Sequence, residues 1–126
     1  MDYQEFVKDV KALGFVEDEA TAGAAVKAVL GIMASSLDEE DAGKITEALP
    51  EPLNLSKLRG QQVRAKPVDF NYCVAEIAQQ FKLDEEQARE LADTVLRTTR
   101  AALGSKKLGE VEDILPESWR AAIEHA

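Results

Sequence analysis

The sequence predicts an all-α helical bundle built from two tandem three-helix units, with about six main helices and short turns. Apolar residues recur every three or four positions, which is typical of amphipathic helices. Aspartates stand where these stripes begin, as N-cap residues do. The second half of the chain also repeats the first. We expect units at residues 1–53 and 69–126, a linker at 54–68, and one compact domain overall.

The repeat can be read by direct alignment. Residues 2–16 align with residues 69–83, residues 18–51 align with residues 84–117, and 12 of the 49 aligned positions are identical. Both aligned parts close on Leu-Pro-Glu. Because similarity at a fixed period indicates duplication, each helix of the first unit predicts a counterpart in the second.

Three helices are predicted in the first unit, and an aspartate begins each of them: Asp2, Asp18 and Asp38. Pro50 cannot continue the third helix, because its ring clashes with the preceding turn. Pro52 suits the first position of a short additional turn.

The second unit repeats this order. Asp69 and Asp84 begin its first two helices. Gly104 fits a helix stop and Ser105 fits the cap of the third helix. A last helix carrying Trp119 follows.

Three pairs of motifs mark corresponding places in the two units. The units open on Asp-Tyr-Gln-Glu-Phe and Asp-Phe-Asn-Tyr-Cys, their second helices start with Asp-Glu-Ala-Thr-Ala and Asp-Glu-Glu-Gln-Ala, and their third helices end on Ala-Leu-Pro-Glu and Ile-Leu-Pro-Glu. Together these motifs resemble a bacterial family of unknown function with two related all-helical halves, each ending in a Leu-Pro-Glu-like motif. The resemblance covers almost the whole chain and implies a helical, duplicated, cytoplasmic protein, with no catalytic or binding residues to transfer.

The net charge of −9 bears on the class of partner. An acidic surface repels nucleic-acid phosphates and anionic lipids, so we expect neither nucleic acid nor membrane as a partner. The single cysteine, Cys73, permits no internal disulfide and suits a reducing compartment. The acidic first residues have no signal-peptide pattern, and the nearly uncharged stretch 20–37 contains Lys27. We therefore expect a cytoplasmic protein.

No motif indicates catalysis, a metal or a cofactor, so we expect a protein that is not an enzyme. Cys73 stands in an apolar stripe, where a buried thiol is the simplest interpretation. The only histidine, His125, is next to last in the sequence. Clusters of acidic residues stand mostly at predicted helix starts, where their negative charge interacts favourably with the positive end of the helix dipole.

The linker at 54–68 is the sharpest change in composition. Its charged residues are Lys57, Arg59, Arg64 and Lys66, and it contains no acid. Two interpretations remain open. The linker either neutralises the acidic surface of its own protein or binds an acidic partner.

Trp119 is the other candidate for partner binding. Its counterpart in the repeat is Leu53, which favours an anchor between the units. An exposed tryptophan would instead serve as a binding hot spot.

These observations favour a non-enzymatic protein–protein interaction or adaptor module with an unidentified protein partner. The alternative is a small-molecule or lipid-binding bundle. In that case, an apolar gap is expected between the alanine-rich helices at 20–34 and 88–102.

Overall fold

Seven helices make up most of the chain that the structure describes. The computed structural model describes residues 2–59 and 66–126, except for the side chain of Arg59. No strand occurs in these two ranges, so the predicted all-α class is confirmed. In order, the helices are α1 (Tyr3–Lys11), α2 (Glu19–Ser35), α3 (Glu39–Thr46), α4 (Leu55–Arg59), α5 (Phe70–Phe81), α6 (Glu85–Ile114) and α7 (Glu117–His125).

Aspartate caps begin five of these helices, as predicted. Each cap carboxylate accepts a hydrogen bond from the backbone N–H three residues further on, for example at 2.6 Å from Thr21 to Asp18. At Asp84 the capping box is complete, because the Gln87 side chain also accepts from the Asp84 N–H. Such a cap typically stabilises a helix by about 1 kcal/mol. The five caps are Asp2, Asp18, Asp38, Asp69 and Asp84.

The two halves differ where the second and third helices of each unit meet. Asp38 starts a separate helix in the first half. At the aligned position, Gly104 has φ 75° and ψ 166°, and α6 continues through it with a kink. The predicted stop at Gly104 is therefore a bend within one helical element. The tandem duplication itself stays a prediction.

Side chains from both predicted units form one core. Helices α2, α5 and α6 pack against one another, α1 packs on α2 and α6, and α7 packs on α5 and α6. Fully buried members include Phe6 and Leu30 from the first unit and Leu91 and Leu96 from the second. In the two alanine-rich helices Ala22, Ala25, Ala88 and Ala92 are completely buried, and the apolar gap between these helices stays a prediction.

None of the helices in the two described ranges combines the length and the apolar character needed to cross a bilayer.

Candidate functional site

Two of the four linker cations have described side chains. Lys57 and Lys66 are both exposed. Lys57 lies in α4, where its N–H donates to the Asn54 side-chain oxygen at 2.9 Å. Arg59 is the last residue of α4, but its side chain is not described, and Arg64 lies outside the described residues. Lys57 and Lys66 are therefore the linker cations that can be assigned to a surface.

Residues 66–68, here called the linker end, are joined to the carboxyl end of α2. The N–H of Lys66 donates to the Ser35 carbonyl oxygen at 2.8 Å. The Ser36 hydroxyl lies within hydrogen-bonding distance, 3.3 Å, of the Val68 carbonyl oxygen. These contacts hold the Lys66 backbone beside α2.

An open groove of about 400 Å³ runs between α2 and α5, and we call it the α2–α5 groove. Leu58 of α4 also lines the groove, and α4 approaches the middle of the α2 wall so closely that a Cβ added to Gly31 would lie 3.4 Å from the Leu58 carbonyl oxygen. Small and aliphatic residues form the apolar part of its lining: Ala28, Gly31, Ile32, Leu58 and Val68.

Charged side chains border this apolar lining. Lys27 and Lys66 lie on the α2 side of the groove, and Glu76 lies on the α5 side. Lys27 precedes Ser35 by two turns of helix, a distance of about 12 Å along α2. Since Lys66 is bonded to Ser35, the two lysines mark opposite ends of the groove.

The side chain of Lys27 is positioned by α1. Its ammonium group lies 5.7 Å from the centroid of the Tyr3 ring, within the range of a cation–π interaction. The Tyr3 hydroxyl rests on Gly23, one turn earlier in α2, where any Cβ would collide with it. Because Gly23 has no side chain, the Tyr3 ring can pack against α2 and face the Lys27 ammonium group.

The two exposed linker lysines are not neutralised by ion pairs within residues 2–59 and 66–126. The ion pairs in those ranges use Lys44, Arg89 and Lys107 as cations. Lys57 and Lys66 form none with a described residue. The interpretation that the linker neutralises its own acidic surface therefore receives no support from these two lysines.

Sequence reasoning missed Lys27 and Tyr72 as members of this surface. Tyr72 lines the groove and is 50% exposed. Tyr72 falls between Phe70 and Cys73, outside the buried stripe of α5. An aromatic residue outside the apolar stripe of a helix is a sequence signal for an exposed binding residue. Lys27 carried no such signal, because its place on the same groove as Lys66 depends on the packing of α2 and the linker end.

Trp119 does not belong to this surface. Its side chain is completely buried, its Nε1–H donates to the Val68 carbonyl oxygen at 2.9 Å, and its ring meets Phe70 edge-on with centroids 5.4 Å apart. A buried ring offers no area to a partner, so the predicted partner-binding role of Trp119 is corrected. The contacts make Trp119 an anchor among the linker end, α5 and α7, and the predicted anchor between the two units stays a prediction.

A family model of uncharacterized conserved proteins, DUF2267, matches residues 3–122. The chain belongs to the DUF2267 family. The resemblance drawn from the paired motifs is thereby confirmed at the level of a family of unknown function. No curated protein matches this DUF2267 chain significantly.

The cysteine of this DUF2267 protein is a core residue, as predicted. Cys73 is completely buried and is not part of a disulfide. Burial, with a smaller contribution from the Glu76 carboxylate, raises the pKa of the Cys73 thiol to about 12. The thiol is therefore protonated at neutral pH and is a poor nucleophile.

We expect native Cys73 to resist thiol reagents at pH 8 and to react quickly once urea unfolds the chain. Unfolding removes the burial and returns the pKa to about 8.5. Because the folded state holds this proton more tightly, Cys73 should also reduce stability as the pH rises from about 9 towards 12. Absorbance of released thionitrobenzoate measures the reaction, and complete labelling of the native protein within minutes would contradict the assignment.

Carboxylates with raised pKa in this DUF2267 protein lie away from the groove. Burial raises the pKa of Asp93, while Arg89 and Arg97 act in the opposite direction. A hydrogen bond with Glu124 raises the pKa of Glu112. In the described parts of the chain, no three acidic, histidine or cysteine side chains are grouped to hold a metal ion.

Proposed function

We propose that this DUF2267 protein is a non-enzymatic protein-interaction module of the bacterial cytoplasm, and that it binds an acidic partner protein at the α2–α5 groove. One observation carries the proposal: exposed Lys27 and Lys66 border an apolar groove in a chain with net charge −9. Lys57 lies on α4, next in the chain to the lining residue Leu58. Opposite charges on the two surfaces steer encounter and suppress wrong partners.

The chemistry of the groove favours binding over catalysis. Active sites commonly gather titratable groups with displaced pKa values. Among the described residues, the groups with such shifts are Tyr3, Asp18, Cys73, Asp93, Lys107 and Glu112, and the groove is lined by other residues.

The acidic balance of the whole chain opposes other macromolecular partners. Two or three lysines in a chain with net charge −9 form a weak footprint for a phosphate backbone or an anionic bilayer. Local positive charge on an acidic protein instead suits a local acidic segment of another protein.

Site-specific photo-crosslinking in cells tests the proposal. A photoreactive benzoylphenylalanine replaces Tyr72 at the groove or, as a control, Glu86, which is exposed in the first turn of α6. We expect a discrete protein adduct from position 72 alone. The double variant K57E/K66E should reduce that adduct about tenfold, since each reversal turns an attraction into a repulsion.

A matched charge control separates the groove from overall charge. The variant K8E/K106E makes the same change in net charge at exposed lysines outside the groove, and its adduct should keep the wild-type yield. Equal adducts from positions 72 and 86, or equal loss in both double variants, would refute the proposal.

The apolar lining favours a second candidate, a small-molecule or lipid-binding bundle. Ligand pockets typically combine an apolar lining with a few polar groups, as this groove does. Native mass spectrometry of protein purified from its own cells would then show a reproducible added mass. That mass should be lost on replacing Ala28, which is partly exposed in the lining, by leucine, which fills the lining.

A further inference from the structure

We infer that the segment docked in the α2–α5 groove is an acidic amphipathic helix of the partner, an inference that rests on the interaction function proposed above. The shape of the groove, the composition of its lining and the positions of its charges support a helix as the occupant.

The walls of the groove are two helical ridges. On α5 the lining residues Tyr72, Glu76 and Gln80 follow one another at intervals of four. On α2, Lys27, Gly31 and Ser35 have the same interval. Residues four apart lie in one row along a helix, and such rows form the ridges and grooves into which a third helix packs.

The dimensions suit two turns of helix. From Lys27 to Ser35 and from Tyr72 to Gln80, each wall extends about 12 Å. A docked helix would place aliphatic side chains at positions i, i+3 or i+4, and i+7 along this length.

The composition of the floor also favours a helix over an extended peptide. Extended peptides usually bind by adding a strand to a sheet edge, and the described residues contain no strand to extend. Ala28 is small, so a docked helix can approach α2 closely there, whereas the backbone of Leu58 already lies against Gly31. Ile32, Leu58 and Val68 supply aliphatic surface for the apolar face of the docked helix.

The charges determine which side of the partner helix is acidic. Lys27 and Lys66 lie at opposite ends of the α2 wall, whereas Glu76 lies on the α5 wall. A bound helix should therefore carry carboxylates about two turns apart on the edge that faces α2. On the edge that faces Glu76, a neutral or basic residue is favoured, since like charges repel.

A displayed peptide library tests the inference. Its members are about 16 residues long. Peptides of this length can form a helix, but that helix is only marginally stable before binding. Aliphatic residues vary at helical spacing, acids vary on one flank, and a second library of the same composition carries a central proline. Both libraries are selected on the full-length protein, with K27E/K66E as the decoy that removes unspecific binders.

We expect enrichment from the helical library alone. The best peptides, labelled and measured by fluorescence anisotropy, should lose affinity about tenfold on K27E/K66E and keep it on K8E/K106E. The variant E76K should improve binding of peptides with an acid on the α5 flank. Bound peptide should also gain helical signal in circular dichroism.

The outcomes separate this inference from the proposed function. Enrichment of the proline library, or no enrichment over the decoy, refutes the helix as occupant. If position 72 still gives a protein adduct in cells that K57E/K66E reduces, the interaction function stands without the helix. If that adduct is also absent, both fail.

Discussion

Replacement of Trp119 by alanine is expected to lower the free energy of unfolding by about 3–5 kcal/mol, the range for truncating a buried aromatic residue. The Trp119 side chain is completely buried and meets the Phe70 ring at 76°. Its removal leaves a cavity between α5 and α7. It also takes away the hydrogen bond to the Val68 carbonyl oxygen.

Urea unfolding followed by circular dichroism at 222 nm measures this loss. Tryptophan fluorescence is unsuitable, because Trp119 is the only tryptophan. Trp119→Phe keeps most of the apolar volume but not the hydrogen bond, so its loss should be intermediate. Tyr72→Ala, at a half-exposed position, should change the free energy of unfolding by no more than about 0.5 kcal/mol. A loss below about 1 kcal/mol for Trp119→Ala would show that the ring is not an anchor.

The second large effect is expected at Gly104. Its φ of 75° and ψ of 166° lie in a region that side chains other than glycine's enter only under strain. Gly104→Ala should therefore cost about 1–3 kcal/mol. A Cβ at this position would meet no atom within 4 Å, so the cost is one of backbone conformation rather than collision.

Gly109 provides a matched control in the same helix. An added Cβ there also meets nothing within 4 Å, but no positive φ is present. Gly109→Ala should stabilise the protein by up to about 1 kcal/mol, because alanine favours helix over glycine. Equal effects of the two substitutions in urea unfolding would contradict the assigned role of the kink.

Local signals were sufficient to predict where five of the helices begin. Asp18 and Asp84 predict helix starts correctly. An N-cap is a local feature, because it needs only the aspartate side chain and the backbone N–H three residues further on. The apolar stripe that contains Cys73 likewise predicts the buried face of α5, since helical periodicity places its residues on one face. Gly104 was recognised as an interruption. That the helix bends there, and does not end, depends on how the flanking segments pack.

The candidate site was predictable only in part. Lys57 and Lys66 stood out because the linker differs in composition from its surroundings. Lys27 and Tyr72 join them only after α2 and α5 have packed, and 45 residues separate them along the chain. The burial of Trp119 has the same cause, because its partner Val68 belongs to a distant segment. Contacts between remote residues leave no periodic trace in a sequence.

Val68 links the hydrogen bonding of the buried Trp119 to the lining of the α2–α5 groove. Its carbonyl oxygen accepts the Trp119 indole N–H and lies within reach of the Ser36 hydroxyl, while the Val68 residue also lines the groove. A shift of Val68 that widens or narrows the groove is therefore expected to alter the hydrogen bond of the only tryptophan. We therefore expect the emission wavelength of Trp119 to report a change in the groove, although the buried indole is not part of the groove lining.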